Sequence, residues 1–279
     1  MREQTIRSLE LPAEKFKRKL GVKPQTFAKM LDVLQAREVK KKKRGRTPAL
    51  CLADQLVLTL SFWREYRTHF HLSEDWGVDE STVRRTIERV ADRPGRCRFV
   101  QDEDALIRSG EFSLPGRKAL RDDHTLEVVV VDIAESPVER PKKQRAYYSG
   151  KKKCHTQKSQ LFVEKNSRRI LCTAYGKGRR HDFKLLEQSR CAHLLHDDTE
   201  LLSDSGFQGV AKLHSNSRTP HKRWRGKVLT HEQQAHNRTL AKERILAEHV
   251  VRKLKVFRIL KETYRCLGQS GTSRACPPS

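Results

Sequence analysis

Long apolar runs are the first thing this 279-residue chain lacks. No stretch approaches the ~20 consecutive apolar residues of a membrane-spanning helix, and the N-terminus has no apolar core of the signal-peptide kind. A membrane-embedded or secreted protein is therefore not expected, and a soluble, cytoplasmic one is. Cysteine is sparse and irregular: Cys51, Cys97, Cys154, Cys172, Cys191, Cys266 and Cys276 include no pair at a zinc-chelating spacing. Cys154 and His155 are adjacent, so their side chains diverge in an extended segment. An odd count without a secretion signal excludes a disulfide framework, and reduced thiols are expected. Negative charge is also in deficit, with 34 Asp and Glu against 59 Lys and Arg, a formal net charge of +25. A field of this sign gathers polyanions, which makes nucleic acid the expected partner ahead of an anionic membrane surface.

What is present suffices for a core, since 36% of residues are apolar and the length suits two domains. Residues 1–92 carry helical periodicity. Leu20, Phe27, Met30, Leu31 and Leu34 recur at three- and four-residue intervals, and Leu50–Phe62 suits a packed helix. Between them Lys40–Pro48 is a basic, Gly- and Pro-containing connector, whose Arg44 and Arg46 suit phosphate or a narrow minor groove. His71–Val90 reads as a helix, a turn at Gly77 and a second helix opening near Asp79–Ser81. The second helix bears Ser81, Thr82, Arg84, Arg85 and Arg89, residue types suited to base edges and phosphates in a major groove. Leu20, Gly21, Val22, Thr26, Phe27 and Leu31 repeat the spacing of Trp76, Gly77, Val78, Thr82, Val83 and Ile87, so a second such unit is expected.

Residues 93–124, rich in Gly, Pro and charge, read as a linker, after which the pattern becomes strand-like. Strands are expected at Leu126–Ile133, Gln160–Glu164, Ile170–Tyr175 and Glu200–Ser203, and a long helix over about 236–259. Asp132 follows four valines, where an aspartate is costly unless paired or bound to a cation. Asp204 sits where a strand runs into a Ser-Gly turn, and the helix offers Glu243 and Glu248, between which spacing does not choose. Carboxylates from separate elements are what phosphoryl transfer on DNA requires, because two divalent ions ~3.5 to 4 Å apart stabilise the attacking and leaving oxygens.

Four strings in order, Glu74–Val83, Tyr148–Thr156, Lys177–Phe183 and Asp204–Gly209, resemble the bacterial transposases of the insertion-sequence-five family, from about residue 16 to about 264. The resemblance implies an α+β/α/β architecture: an all-α helix-turn-helix domain, then a ribonuclease-H-like mixed-sheet catalytic domain over 125–262. It implies an Asp, Asp, Glu triad whose glutamate lies in a Tyr-x2-Arg-x3-Glu-x6-Lys helix. Arg244, Glu248 and Lys255 fit that spacing, which selects Glu248 over Glu243, and Ala241 replaces the tyrosine. Asp132, Asp204 and Glu248 would then be catalytic and hold two Mg2+ or Mn2+ ions, with Arg244 and Lys255 on DNA phosphate. His181 and Asp182 would assist nearby or serve the structure. Water would cut at the element's terminal inverted repeats and the freed 3'-hydroxyl would attack target DNA, without ATP or a covalent enzyme intermediate. A homodimer or higher oligomer on double-stranded DNA in the bacterial nucleoid is implied. Residues 263–279 depart from the family's basic helical continuation, so a frameshifted tail and an inactive DNA-binding remnant or regulator form the alternative expectation. A nuclease that cuts without strand transfer is a further one.

Overall fold

The computed structural model describes residues 1–39, 47–91, 114–223 and 228–265. Arg44, Arg46 and the tail from Cys266 lie outside them, as does most of the 93–124 segment. The chain divides into two compact units, the described residues of Met1–Ser113 with Lys255–Glu262, and those of Leu114–Leu254 with Thr263–Ser279. Among the described residues no helix is long and apolar enough to cross a membrane.

The first unit contains α1 (Glu3–Leu9), α2 (Ala13–Leu20), α3 (Pro24–Val39), α4 (Leu52–Glu65), α5 (His69–Trp76) and α6 (Glu80–Ala91). Apolar residues lie all round α4, and Leu56, Val57, Leu58 and Leu60 are buried as the centre on which α2, α3 and α6 pack. Each such side chain removed from water contributes roughly 1.5–3 kcal/mol. Asp54, in the first turn of α4, accepts hydrogen bonds from Thr5 Oγ1 at 2.7 Å and Arg2 N at 2.8 Å, which ties α1 to it. Burial alone would push this carboxyl up; hydrogen bonds involving Thr5, Cys51 and Arg2 outweigh that and hold it below the usual range.

Helix α5 ends because Gly77 adopts φ 58°, a left-handed conformation that costs glycine little. Asp79 caps α6, its Oδ1 accepting from Ser81 N at 2.7 Å. Trp76, Val83 and Ile87 close the small core between the two helices. The expected echo is a structural one: α2 also ends on a left-handed glycine, Gly21 at φ 83°, before α3, and Leu20 and Phe27 are buried in corresponding places.

The second unit runs α7 (Arg117–Asp122), β1 (Val128–Pro137), α8 (Gln144–Tyr147), β2 (Tyr148–Ser149), β3 (Cys154–Glu164), β4 (Ile170–Lys177), α9 (Asp182–Ser189), β5 (Glu200–Leu202), β6 (Ser217–Arg218) and α10 (His231–Leu254). Helix α7 falls within the segment read as a linker, and its Leu120 is fully buried in this unit's core. The six-stranded sheet has the order β2-β3-β1-β5-β6, with β4 beside β3. Strands β1, β3 and β4 are antiparallel, whereas β5 runs parallel to β1 and β6 parallel to β5.

The valine run of β1 is continuous because both faces of the sheet are covered. Val129 and Val131 pack with Phe162, Leu120 of α7 and Leu186 of α9. Val128 and Val130 face the other way, onto Leu240 and Ala247 of α10, and Leu161 and Val163 meet Val250. Helix α10 begins five residues earlier than expected from periodicity. A reciprocal cap explains this: Thr230 N donates to Gln233 Oε1 at 3.1 Å and Gln233 N to Thr230 Oγ1 at 3.2 Å. It also stops at Leu254, before a turn and a short 3-10 helix at Arg258–Leu260. Lys255 consequently lies past the helix that carries Glu248, in the other unit, and does not share the helix face that the sequence spacing implied.

Candidate active site and DNA-binding interface

Asp132 is the first residue of β1 whose side chain is not apolar, and it is half-buried. It stands opposite Leu161 in the register and shares the α10 side of the sheet with Val130. Burial raises its carboxyl above the usual range, and the negative charges of Asp204 and Glu248 raise it further. The Ile133 N–H and the Arg244 guanidinium act in the opposite sense.

The sheet register explains why Asp204 is near. Val130 of β1 pairs in parallel with Leu202 of β5, so two residues further on each strand brings Asp204 alongside Asp132. Strand β5 ends there, and Asp204 Oδ1 accepts from Ser205 N at 2.6 Å as the chain enters a 3-10 turn anchored by buried Phe207.

Helix α10 carries Glu248, the third acid expected from the sequence. Ala247 is packed against the sheet, and Glu248, next to it, is exposed. One turn earlier, Arg244 Nη1 donates to Asp204 Oδ1 at 3.3 Å, and its buried Nε has no hydrogen-bond partner. Glu243, the rival carboxylate, is committed elsewhere. It accepts from Lys165 Nζ at 2.7 Å and from Arg218 Nη2 at 3.0 Å, while Arg218 also grips Glu200 at 2.9 Å. The hydrogen bond from Lys165 is the leading cause that holds the Glu243 carboxyl below its usual range. This ion-pair group clamps α10 to β5, β6 and the end of β3; among the described residues Glu248 makes no such tie.

Among the described residues no three His, Cys, Asp or Glu side chains converge closely enough to enclose a metal ion as they stand. The donor chemistry nevertheless fits a divalent cation. Asp132, Asp204 and Glu248 offer hard oxygen donors, and the cost of ionising half-buried Asp132 near two other carboxylates is the cost that such a cation offsets.

Asp182 lies one layer out. Its Oδ1 accepts from Lys158 Nζ at 2.7 Å, and its Oδ2 lies 3.0 Å from where a Cβ on Gly206 would stand, against the turn that follows Asp204. Lys158 also donates to Arg180 O at 2.7 Å and pairs with Glu135 at 3.7 Å. Sequence reasoning overlooked Lys158 and Glu135. Starting β3 at Gln160 left Lys158 outside the strand, where its inward-facing even position next to Gln160 and Phe162 goes unnoticed.

In the first unit, Arg84 and Arg85 of α6 are exposed while Ser81 and Thr82 are half-buried. Arg89 is exposed but donates to Gln55 Oε1 at 3.5 Å, within the helical bundle. The helix that opens after Gly77 thus presents two unencumbered arginines near its N-terminal end, the usual geometry of a recognition helix.

Comparison with known proteins agrees with both units. Residues 131–272 match the family described as DDE superfamily endonuclease, and residues 48–93 match the helix-turn-helix of DDE superfamily endonuclease, which takes in α4 as well as α5 and α6. The chain is 45% identical over 260 residues to a Microchaete diplosiphon protein provisionally named as the transposase for insertion sequence element IS702, covering 92% of this chain and 88% of that one. It is 27% identical over 248 residues to a Streptomyces albus G protein, provisionally named as the transposase for insertion sequence element IS112, covering 87% and 84%.

Proposed function

The chain belongs to the DDE superfamily endonucleases, and from that premise we propose that it is a DNA transposase whose catalytic acids are Asp132, Asp204 and Glu248. The observation that supports the residue assignment is the strand register that brings Asp204, past the end of β5, alongside Asp132 on the face covered by α10, where Arg244, one turn before Glu248, donates to Asp204. Asp132, midway along β1, and Asp204, just past the end of β5, would hold divalent ions, and Glu248 would complete the set from α10. Magnesium or manganese, when bound, supplies positive charge at the attacking and leaving oxygens of an in-line displacement.

The remaining work falls to the chain's own residues. Arg244 orients Asp204 through the 3.3 Å contact and opposes the negative charge gathered at the three acids. The clamp of Glu243, Arg218, Glu200 and Lys165 fixes α10 on the sheet, and the Lys158–Asp182 pair supports the turn after Asp204. Helix α6 reads the terminal inverted repeats, with Arg84 and Arg85 on base edges or phosphates, and Ser81, Thr82 and Arg89 beside them. Arg44, Arg46 and Lys255 add phosphate contacts. Cleavage at each element end is followed by attack of the freed 3'-hydroxyl on target DNA. Joining two ends to one target requires at least two copies of the chain on the DNA, which places its work at the chromosome.

The test is cleavage and joining of duplexes carrying the inverted repeats that flank its coding sequence, with Mg2+. Cut and joined products that vanish in Asp204→Asn support this reading; products undiminished in that variant overturn the residue assignment, and cutting without joining marks a nuclease.

A further inference from the structure

Helix α10 covers only part of its side of the sheet. Its contacts end at Leu161, Val163 and Val250, level with Asp132. Beyond Asp132 the sheet continues for five more residues of β1 and seven of β3, and the residues there on the same side are small, polar or aromatic. Paired residues share a face, so the register places Ser159 beside Tyr175 and His155 beside Tyr148 on the side of Asp132. Tyr175 is 44% exposed and Tyr148 43%, and Tyr148 meets His155 edge to face at 5.9 Å. Two large exposed rings on a sheet face next to an acid cluster have no explanation within the core.

The strip ends in a turn that carries Lys151, Lys152 and Lys153, all exposed. Buried Ser149 shapes that turn: its carbonyl accepts from Lys153 N at 2.8 Å and its Oγ from Lys152 N at 3.3 Å, with Lys153 held at φ 55°. Counting ~3.4 Å per residue and ~4.8 Å per strand, Tyr175 stands about 12 Å from Asp132, and the lysine turn about 25 Å. At ~3.4 Å per nucleotide the turn lies about seven base pairs away.

We propose that this strip docks the DNA that flanks the scissile phosphodiester, with Lys151, Lys152 and Lys153 on its phosphates and the rings of Tyr175 and Tyr148 packed on sugars and bases nearer the cut. The inference rests on the transposase reading and adds to it a surface outside both the acids and the recognition helix. Charge complementarity and continuity with Asp132 along one strand face select DNA as the occupant. Contacts to phosphates and sugars carry no base identity, so the strip grips flanking DNA of any sequence, which a mobile element meets at each new insertion site.

The experiment measures binding of the full chain, by fluorescence anisotropy at several salt concentrations, to two duplexes bearing its inverted repeat. One stops at the cleavage position and the other extends ten base pairs beyond. The extended duplex is expected to show a log-log salt slope steeper by roughly 2.7, from three phosphates at ~0.9 each, and the K151A/K152A/K153A triple variant is expected to abolish that difference. Tyr175→Ala is expected to weaken the extended duplex about five- to hundred-fold while Tyr175→Phe does not. Binding to the short duplex shows that each variant is folded. A triple variant that keeps the slope difference, or a Phe variant as weak as Ala, overturns the inference while repeat recognition leaves the transposase reading standing. If the unaltered chain does not distinguish the repeat from unrelated duplex, the reading and the inference fall together.

Discussion

Glu243 and Glu248 sit within one and a half turns of the same helix, and the proposed mechanism gives them opposite tasks, which Glu243→Gln and Glu248→Gln separate. Glu243 receives Lys165 Nζ at 2.7 Å and Arg218 Nη2 at 3.0 Å, with side chains 21%, 28% and 33% exposed for the glutamate, lysine and arginine. Removing one partner of a fully buried pair costs about 3–5 kcal/mol and of an exposed pair about 0–1 kcal/mol. At this intermediate exposure, with Arg218 still gripping Glu200, Glu243→Gln should cost about 1–2.5 kcal/mol. For a unit of this size that lowers the melting temperature by roughly 2–10 °C. Glu248 is exposed and makes no ion pair among the described residues, so Glu248→Gln should change stability by less than about 0.5 kcal/mol. Activity should follow the reverse order. Nicking of an element-end duplex with Mg2+, assayed well below the melting transition, should survive Glu243→Gln and disappear in Glu248→Gln. A Glu243→Gln protein that melts normally but cannot nick, beside an active Glu248→Gln protein, would refute the division of labour.

Three further outcomes follow from the same geometry. Gly206→Ala would set a methyl 3.0 Å from Asp182 Oδ2, whose other oxygen is fixed by Lys158, so the turn after Asp204 must shift; nicking should fall about ten-fold or more with repeat binding unchanged in a gel-shift assay. The folded Asp54 carboxyl lies below its usual value of 3.8, so its contribution to stability is complete above that pH and is lost as pH falls through the folded value. Urea midpoints of the parent chain and Asp54→Asn should therefore differ most near neutral pH and converge in acid, and a gap that widens in acid would contradict the hydrogen-bonding account. Arg84→Ala and Arg85→Ala should each reduce the salt slope of repeat binding by about 0.9 if they touch phosphate, or lower the preference for the repeat by about 1–3 kcal/mol if they read a base.

Much of this architecture was legible in the sequence because its signals are local. The glycine at 77, the cap at Asp79 and the apolar spacing of Trp76, Val83 and Ile87 define a helix-turn-helix without reference to the rest of the chain, and the repeat at Gly21 follows the same logic. The valine run of β1 announces a strand covered on both faces, and an aspartate at its end stands out for that reason. What was less legible depends on partners distant in sequence. The outer half of β3 alternates polar residues, so its strand character rests on pairing with β1 and β4, and Lys158 was overlooked with it. Helix α10 starts at a Thr-x-x-Gln cap outside the apolar periodicity, and it ends before Lys255, which spacing alone had placed on the helix. The choice of Glu248 over Glu243 rested on family spacing; the structure adds a physical reason, since Arg218 and Lys165, 25 and 78 residues away, have already taken Glu243.

The central claim is that three carboxylates from β1, the end of β5 and α10 make one cation-binding centre, and Mn2+ titration followed by electron paramagnetic resonance tests it without DNA or catalysis. The account predicts saturable Mn2+ binding by the unaltered chain that is lost or greatly weakened in Asp132→Asn, with the melting temperature unchanged or raised because a half-buried carboxylate has been neutralised. Equal Mn2+ binding by the two proteins would contradict it.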